Sequence, residues 1–447
     1  MTTNNEMTTN DQYLRRMKFS LRHQSSGRFY PYLALSAHLM LRAFLRKIYI
    51  HNRQGLPVDK PVLLACNHPT AFLDPCLLGT FLYPPLYYMT RGDIFKKPFF
   101  RRLMESINMF PVFRLRDGFS SRDRNDEVFE FCRQKLLEHR VVAIFVEGEH
   151  HLEYRIRPLQ KGIIRIAFEA IQKLELPDLQ IIPAGCNYLY GDRPRDEVML
   201  NIGASIPLLG YREEYQNNPV AATNRLLADI EAGLKKICLH IEDPADDHLA
   251  VQLLTLCRSE NAPSLVPIVE YQNRRFLAEK AVCDQVNDLT KEAKSKLRIK
   301  TDRYFESLHA AGLSDEALLN PVWGSWPRLL LLLAGFLPFL VGYLSSYPVV
   351  WLARTITKKV VKKREFVSSV HMGIGHLGGI VYYTLWFLCC LFTWNPWWIA
   401  LALALPALGW FAMFYRENWT RWLSARRALR HPERGRLLEM RSLLKME

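Results

Sequence analysis

The hydrophobic pattern changes period several times along the chain and divides it into blocks. From residue 51 to about 215, short apolar runs alternate with helical patterns. PVLLAC (61–66), VVAIFV (141–146) and LQIIPAG (179–185) are the compact runs, and each is followed by turn residues. The stretches DPCLLGTFLY (74–83), DEVFEFCRQKLLEH (126–139) and KGIIRIAFEAIQKL (161–174) have helical spacing. Strand-like and helical runs in alternation predict an α/β layer built on a largely parallel sheet. Residues 216–320 carry many charges and no strand-like run, which predicts a helical extension.

Two flanking regions read differently. Residues 28–50, RFYPYLALSAHLMLRAFLRKIYI, hold an uncharged stretch shorter than the roughly 20 residues a membrane span needs. The basic residues Arg42, Arg46 and Lys47 that interrupt it fit an amphipathic helix lying in the interface, or one packed on the next domain. The 321–415 region has a membrane character. Residues 329–353 carry no charge, and the run from Met372 to Tyr415 carries none either apart from His376. The second run is too long for one span, so it predicts two helices, 372–393 and 397–415, joined at Trp394-Asn395-Pro396. Tryptophans 394, 397 and 398 then fall at an interface, where aromatic rings are favoured. Residues 1–27 are polar, lack the apolar core of a secretory signal, and read as a disordered tail. Residues 416–447 read as a basic cytoplasmic tail.

Charge refines this picture. A formal net charge of +15 fits nucleic acid, an anionic membrane surface or anionic substrates. No nucleic-acid fold signature accompanies the basic residues, whereas long apolar segments do, so the membrane reading is preferred. The loop TITKKVVKKREF (355–366) and the tail after Tyr415 are both basic, which predicts that both face the cytoplasm. A full crossing by 329–353 conflicts with a cytoplasmic catalytic domain, so a segment bent or re-entrant at Pro338 and Pro348 is expected. Nine cysteines without any CxxC pair indicate reduced thiols rather than a zinc site or a disulfide framework.

The candidate chemistry centres on ACNHPTAFLDP, residues 65–75. A strand ending at Cys66 presents Asn67 and His68 in a turn, and Asp74-Pro75 has the residue types of a helix cap and first turn. Residues six apart lie about 240° apart around a helix, so His68 and Asp74 meet only if a loop folds the histidine back. Such a pair makes His68 a general base whose other ring nitrogen is held by Asp74. The residues alone also fit a turn histidine beside an ordinary capping aspartate, and Asn67 either positions the histidine or closes the turn. His150-His151 with Glu147, Glu149 and Glu153 lack a metal-ligand spacing, so no metal is expected.

Three later segments come in order: MFPVFRLRDG (109–118) with Arg114, IFVEGEHH (144–151) with Glu147-Gly148, and IIPAGCNY (181–188) with Pro183. Together with NHPTAFLD, the series resembles the four blocks of the glycerol-3-phosphate and 1-acylglycerol-3-phosphate acyltransferase family. The resemblance implies an α/β acyltransferase domain at 51–215 and assigns His68 as base and Asp74 as its partner. It implies that Arg114 binds the acceptor phosphate, that Glu147 and Gly148 build the acceptor pocket, and that Pro183 shapes the donor side. Asn67 and Lys161 join these as candidate substrate-binding residues, since Lys161-Gly162 begins a helix whose free N–H groups attract an anion. The implied co-substrates are acyl-CoA or acyl-carrier protein with a glycerol-phosphate or lyso-lipid acceptor in the membrane, and no further cofactor. Two departures stand out. Five residues separate His68 from Asp74 where four are commoner, and Val146 stands where the family has proline.

Overall fold

A computed structural model describes residues 30–91, 95, 97–112, 121–174 and 176–444. Among them the chain forms two compact units: one runs through Cys238 and includes Val269–Asn273, the other comprises Leu239–Ile268 and the chain from Arg274. Arg114 and the 1–27 tail lie outside the described residues.

The first unit is a mixed sheet with helices on it. Its strands are β1 (Lys47–His51), β2 (Val62–Cys66), β3 (Leu86–Arg91), β4 (Met109–Val112), β5 (Val141–Phe145), β6 (Gln180–Tyr188), β7 (Glu197–Ile202), β8 (Ile206–Pro207) and β9 (Val269–Glu270). They run in the order β4-β3-β5-β2-β6-β7-β1-β9, with β8 added beside β6. The strands from β4 to β6 are parallel, β7 reverses against β6, and β1 and β9 come after β7 in parallel. Strand β2 lies at the centre and is buried at every position. A strand covered on both faces needs a continuous apolar run rather than alternation, which is why VLLAC reads as it does.

Helices α1 (Tyr30–Phe44), α2 (Leu73–Phe81), α3 (Pro98–Ser106), α4 (Ser121–Leu137), α5 (Gly162–Leu174), α6 (Arg212–Asn217) and α7 (Pro219–Ile237) complete this unit. One face of the sheet, including Leu63, Ala65, Ile144 and Ile181, shares a core with Ile164 and Phe168 of α5 and Ile230 and Leu234 of α7. The domain therefore extends past the expected end at 215, because α7 closes a sheet face. Helix α1 is narrower than the 28–50 expectation, since Lys47–His51 is a strand of the sheet. It leaves Tyr32, Leu35 and Leu39 exposed, one stripe at helical spacing, while His38 lies 5.3 Å from the ring of Phe81 on α2. The expected wholly helical 216–320 segment also gives β9 to the sheet, where Glu270 pairs with the buried Lys47.

The second unit is helical: α8 (Asp247–Glu260), α9 (Arg274–Asp288), α10 (Lys291–Ala310), α11 (Asp315–Leu319), α12 (Trp326–Ala334), α13 (Phe336–Val360), α14 (Val367–Leu391), α15 (Pro396–Arg430) and α16 (Arg434–Ser442). Buried ion pairs tie it together, with Glu279 held by Arg258 at 2.7 Å and Arg275 at 2.8 Å, and Asp315 by Arg441 at 2.8 Å. Three helices, Phe336–Val360, Arg364–Leu391 with its lead-in turn, and Pro396–Arg430, are long and apolar enough to cross a membrane. The expected joint at WNPWW is present: Asn395 caps α15 by accepting the Trp397 N–H at 3.0 Å, with Pro396 as first helical residue. The expected boundaries at 329 and 415 shift. The helix breaks at Gly335, and α15 runs unbroken from apolar residues through Arg430, so no separate tail begins at 416.

One close approach fixes how α7 meets the sheet. A Cβ on Gly185 of β6 would lie 2.8 Å from both the Ile237 carbonyl oxygen and the Cys238 Sγ. We expect Gly185→Ala to destabilise the first unit by about 1–3 kcal/mol, the cost of overpacking a filled core. Thermal unfolding in detergent checks this, with Gly210→Ala, where an added Cβ meets nothing within 4 Å, as the neutral control.

Candidate active site

The site is assembled where parallel strands end together. Cys66 of β2 is in register with Phe145 of β5 and Ala184 of β6, so the residues just beyond these positions share one edge of the sheet. The C-terminal edge of a parallel sheet is where open α/β folds place their sites. Asn67 leaves β2 and clamps the neighbouring strand: its Nδ2 donates to the Cys186 carbonyl at 3.0 Å and its Oδ1 accepts the Cys186 N–H at 2.8 Å. The buried amide thereby prolongs the β2–β6 ladder and fixes where the next residue turns away.

That residue is His68, and the loop after it does fold back. His68 Nδ1 lies 2.9 Å from Asp74 Oδ2. The expected capping role of Asp74 is not what the backbone shows. Helix α2 begins at Leu73 after Phe72, which makes no side-chain cap, and Asp74 sits inside the first turn. Its carboxylate is committed elsewhere. Oδ2 also accepts the Thr70 N–H at 2.9 Å, and Oδ1 accepts the Thr70 hydroxyl at 2.6 Å and the Tyr188 hydroxyl at 2.7 Å. Asp74 has no exposed surface, and a buried carboxylate of this kind requires such partners.

The imidazole is confined on its faces and edges. Its ring stacks on Phe145 at 3.9 Å and 15°, and His150 meets it edge-on at 4.7 Å. The side chain keeps 11% of its surface exposed. With Nδ1 donating to Asp74, the nitrogen carrying the lone pair is Nε2. This arrangement can accept a proton at Nε2 and stabilise the resulting imidazolium through Asp74.

Glu147 braces the same loop through its backbone. Its buried carboxylate accepts the backbone N–H of His68 and that of Arg157, and burial raises its pKa from 4.5 to about 7, with the Asp74 charge adding in the same direction. Gly148 supplies the turn after it, with φ at +73°. A side chain there would be strained, and its Cβ would approach Gln160 Cγ to 2.9 Å.

The other candidates are placed apart from the imidazole. Pro183 lies opposite Ala65 within the sheet and packs toward Gly203 and Gly233, whose added Cβ atoms would meet its ring carbons at 3.3 and 2.7 Å. Lys161 is exposed before the first turn of α5. Of the basic residues around it, Arg155 and Arg157 pair with Glu153 and Arg165 with Glu169. Among the described residues no group of three or more His, Cys, Asp or Glu is arranged to hold a metal ion. Thr70, Phe145 and Tyr188 were not singled out from sequence, and His150 was weighed there only as a metal ligand. Tyr188 had a signal: strand alternation puts it on the face opposite Pro183 and Gly185.

Residues 47–187 match the family model described as Acyltransferase, the span from β1 through Asn187 of β6. The first unit is thus similar to the acyltransferase family over less than half of the chain. Over 135 residues the chain is 29% identical to the 1-acyl-sn-glycerol-3-phosphate acyltransferase of Bacillus subtilis (strain 168), covering 30% of this chain and 61% of that protein. Over 156 residues it is 26% identical to an uncharacterized acyltransferase of Schizosaccharomyces pombe, covering 34% of this chain and 22% of that protein. The chain thus spans less than two thirds of the length of either relative. The crystal structure of the 1-acyl-sn-glycerophosphate (LPA) acyltransferase PlsC from Thermotoga maritima aligns with a TM-score of 0.33 and 15% identity, over 48% of this chain and 87% of that one.

The residues around the imidazole lead to two expected outcomes. Tyr188→Phe removes one donor from a buried carboxylate, so it should cost about 1.5–3 kcal/mol of stability, read from chemical unfolding of the purified chain. Glu147 has its folded pKa above its unfolded value of 4.5, so its contribution is complete below that pH and is lost as pH rises toward about 7. Stability of the native chain should fall across that window, and Glu147→Gln should flatten the fall in melting temperature measured from pH 4.5 to 7.

Proposed function

We propose that this protein is an O-acyltransferase that moves a fatty acyl group from a thioester to the hydroxyl of lysophosphatidate in phospholipid biosynthesis. The observation that carries the reading is the His68–Asp74 pair at 2.9 Å, with Nε2 as the remaining ring nitrogen. The acceptor hydroxyl gives its proton to Nε2 as its oxygen attacks the thioester carbonyl carbon. The C–S bond then breaks, and the departing sulfur takes the proton from the imidazolium and leaves as a thiol. No covalent acyl-enzyme is needed. The donor is acyl-CoA or acyl-carrier protein.

Lysophosphatidate is favoured by two observations. The Bacillus subtilis relative is named for that acceptor class, and the chain has helices apolar enough to cross a membrane. Arg114 is the residue we assign to the acceptor phosphate, with Lys161 and the start of α5 as further anion contacts. Glu147 and Gly148 act by shaping the His68 loop. The five-residue gap between His68 and Asp74 favours a second acceptor, glycerol 3-phosphate. We place the protein in the membrane with the catalytic unit on the cytoplasmic side, where thioester donors are made.

The test uses the full chain in lipid vesicles with a labelled acyl thioester and, separately, lysophosphatidate, glycerol 3-phosphate or a phosphate-free monoacylglycerol. Lysophosphatidate should be acylated. His68→Ala should lower kcat by about 10²–10⁴, the usual worth of a placed general base. Arg114→Ala should act mainly by raising the acceptor KM. Transfer that survives His68→Ala overturns the dyad, equal use of monoacylglycerol overturns the phosphate assignment, and no transfer to any acceptor points to a lipid-binding scaffold instead.

A further inference from the structure

Helix α12 is a short, mostly apolar helix, too short to span a bilayer, that ends at Gly335 before α13 begins. Two hydrogen bonds lay it antiparallel along α15. The Trp422 Nε1–H donates to the Ser325 carbonyl at 3.1 Å, and the Tyr415 hydroxyl donates to the Leu332 carbonyl at 2.8 Å. Trp326, Leu330 and Leu333 stay exposed, one stripe at helical spacing. An uncovered apolar stripe needs a covering medium, and the neighbouring helices are apolar enough to bring it to lipid.

At the Trp326 end of this stripe the chemistry changes. The chain before α12 makes a 3-10 turn, Pro321–Gly324, which packs tightly on α15. A Cβ added to Gly324 would lie 3.1 Å from both Cδ and the backbone nitrogen of Arg426. The guanidinium of that arginine lies over the Trp326 ring at 5.1 Å and over the Trp422 ring at 6.0 Å. Trp422 stacks in turn on Trp419 at 5.8 Å. Indoles of this kind favour the level where hydrocarbon meets headgroups, and their faces attract a cation.

Arg421 provides the contrast. It also lies over an indole, Trp323 at 4.4 Å, but its guanidinium reaches Glu316 at 3.4 Å and donates to the Pro263 carbonyl at 3.1 Å. Among the described residues no carboxylate lies within ion-pair distance of Arg426, although its side chain is half-buried. The ring faces attract its charge without neutralising it, so an anion from outside the chain completes the arrangement. A guanidinium fork matches a phosphate group in particular.

We infer that Trp326, Trp422 and Arg426 bind the headgroup of an anionic phospholipid, with its phosphate on the Arg426 guanidinium and its acyl chains along Leu330 and Leu333. The stripe from Trp326 to Leu333 is about 10 Å long at 1.5 Å per residue, a length that only an amphiphile would use. A free phosphate would leave the leucines uncovered, and an acidic peptide has no claim on them. The site belongs wholly to the second unit, whereas His68 belongs to the first, so the inference does not rest on the reading of the acyl-transfer site.

The test titrates the delipidated full chain, in a neutral detergent, with phosphatidylglycerol, with phosphatidylcholine and with inorganic phosphate. Native mass spectrometry counts the bound lipid. We expect one phosphatidylglycerol to bind about tenfold more tightly than phosphatidylcholine, and inorganic phosphate to leave it in place. Arg426→Gln should weaken phosphatidylglycerol binding about tenfold and so abolish the preference, while Arg427→Gln on the same helix should leave it unchanged. Trp326→Ala, which removes an exposed ring, should weaken it by a smaller factor. Equal affinity for the two lipids, displacement by inorganic phosphate, or equal losses in Arg426→Gln and Arg427→Gln would overturn the inference. Thermal unfolding without lipid reports whether each variant is folded. Should Arg426→Gln not fold, undiminished phosphatidylglycerol binding in Trp326→Ala overturns the inference instead.

Discussion

A carboxylate sealed from water is the constraint around which this site is organised. Asp74 has no exposed surface, and both of its oxygens are occupied by donors from different parts of the chain. Thr70 and His68 come from the loop after β2, and Tyr188 comes from the end of β6. These donors converge only if β2 and β6 hold their register, and the Asn67 clamp on Cys186 is the contact that carries this register beyond the last ladder pair. A one-residue slip of β6 would send Tyr188 to the opposite face, since strand side chains alternate. The orientation of His68 is thus a consequence of sheet geometry rather than of the loop alone.

The second carboxyl beside the histidine plays a different part. Glu147 receives backbone N–H groups instead of the imidazole, and burial lifts its pKa to about 7. Two full negative charges so close together would oppose one another in a site with little water. Burial lifts Glu147 toward neutrality, and its bonds go to the backbone of the His68 loop rather than to the imidazole. Two carboxyls of similar chemistry acquire separate tasks from their surroundings.

Much of this was legible in the sequence where the signal is local. The apolar runs gave β2, β5 and β6, and the Asn395-Pro396 pair gave the start of α15. The 240° argument forced the fold-back of His68. What escaped depends on distant partners. Tyr188 lies 114 positions from Asp74, and nothing near either residue announces the hydrogen bond between them. Val269–Glu270 is too short a strand to show a period, and it joins the sheet only because β1 offers an open edge. The domain end expected at 215 was missed for a related reason. Helix α7 lies in a run of charged helices, and its contacts with the distant strand β6, at Gly185 and Pro183, show which core it closes. Asp74 looked like a cap because Asp-Pro is a common helix start, yet its oxygens were already taken by the loop.

The positive charge of the chain gains meaning from the same long-range view. Spread over the sequence, +15 fits several kinds of partner. Much of it is concentrated at the ends of apolar helices, in 358–364 and along the later part of α15, where it cannot accompany the helices into hydrocarbon. Charge at a helix end selects a side of the membrane, and at the surface each basic residue near anionic lipid contributes about 1 kcal/mol. Both basic groups adjoin helices apolar enough to cross a membrane, so each would stay at its surface rather than follow the helix inward. The membrane region and the sheet edge therefore obey one rule, that charge placed next to a low-dielectric interior must be given a partner or a path to water.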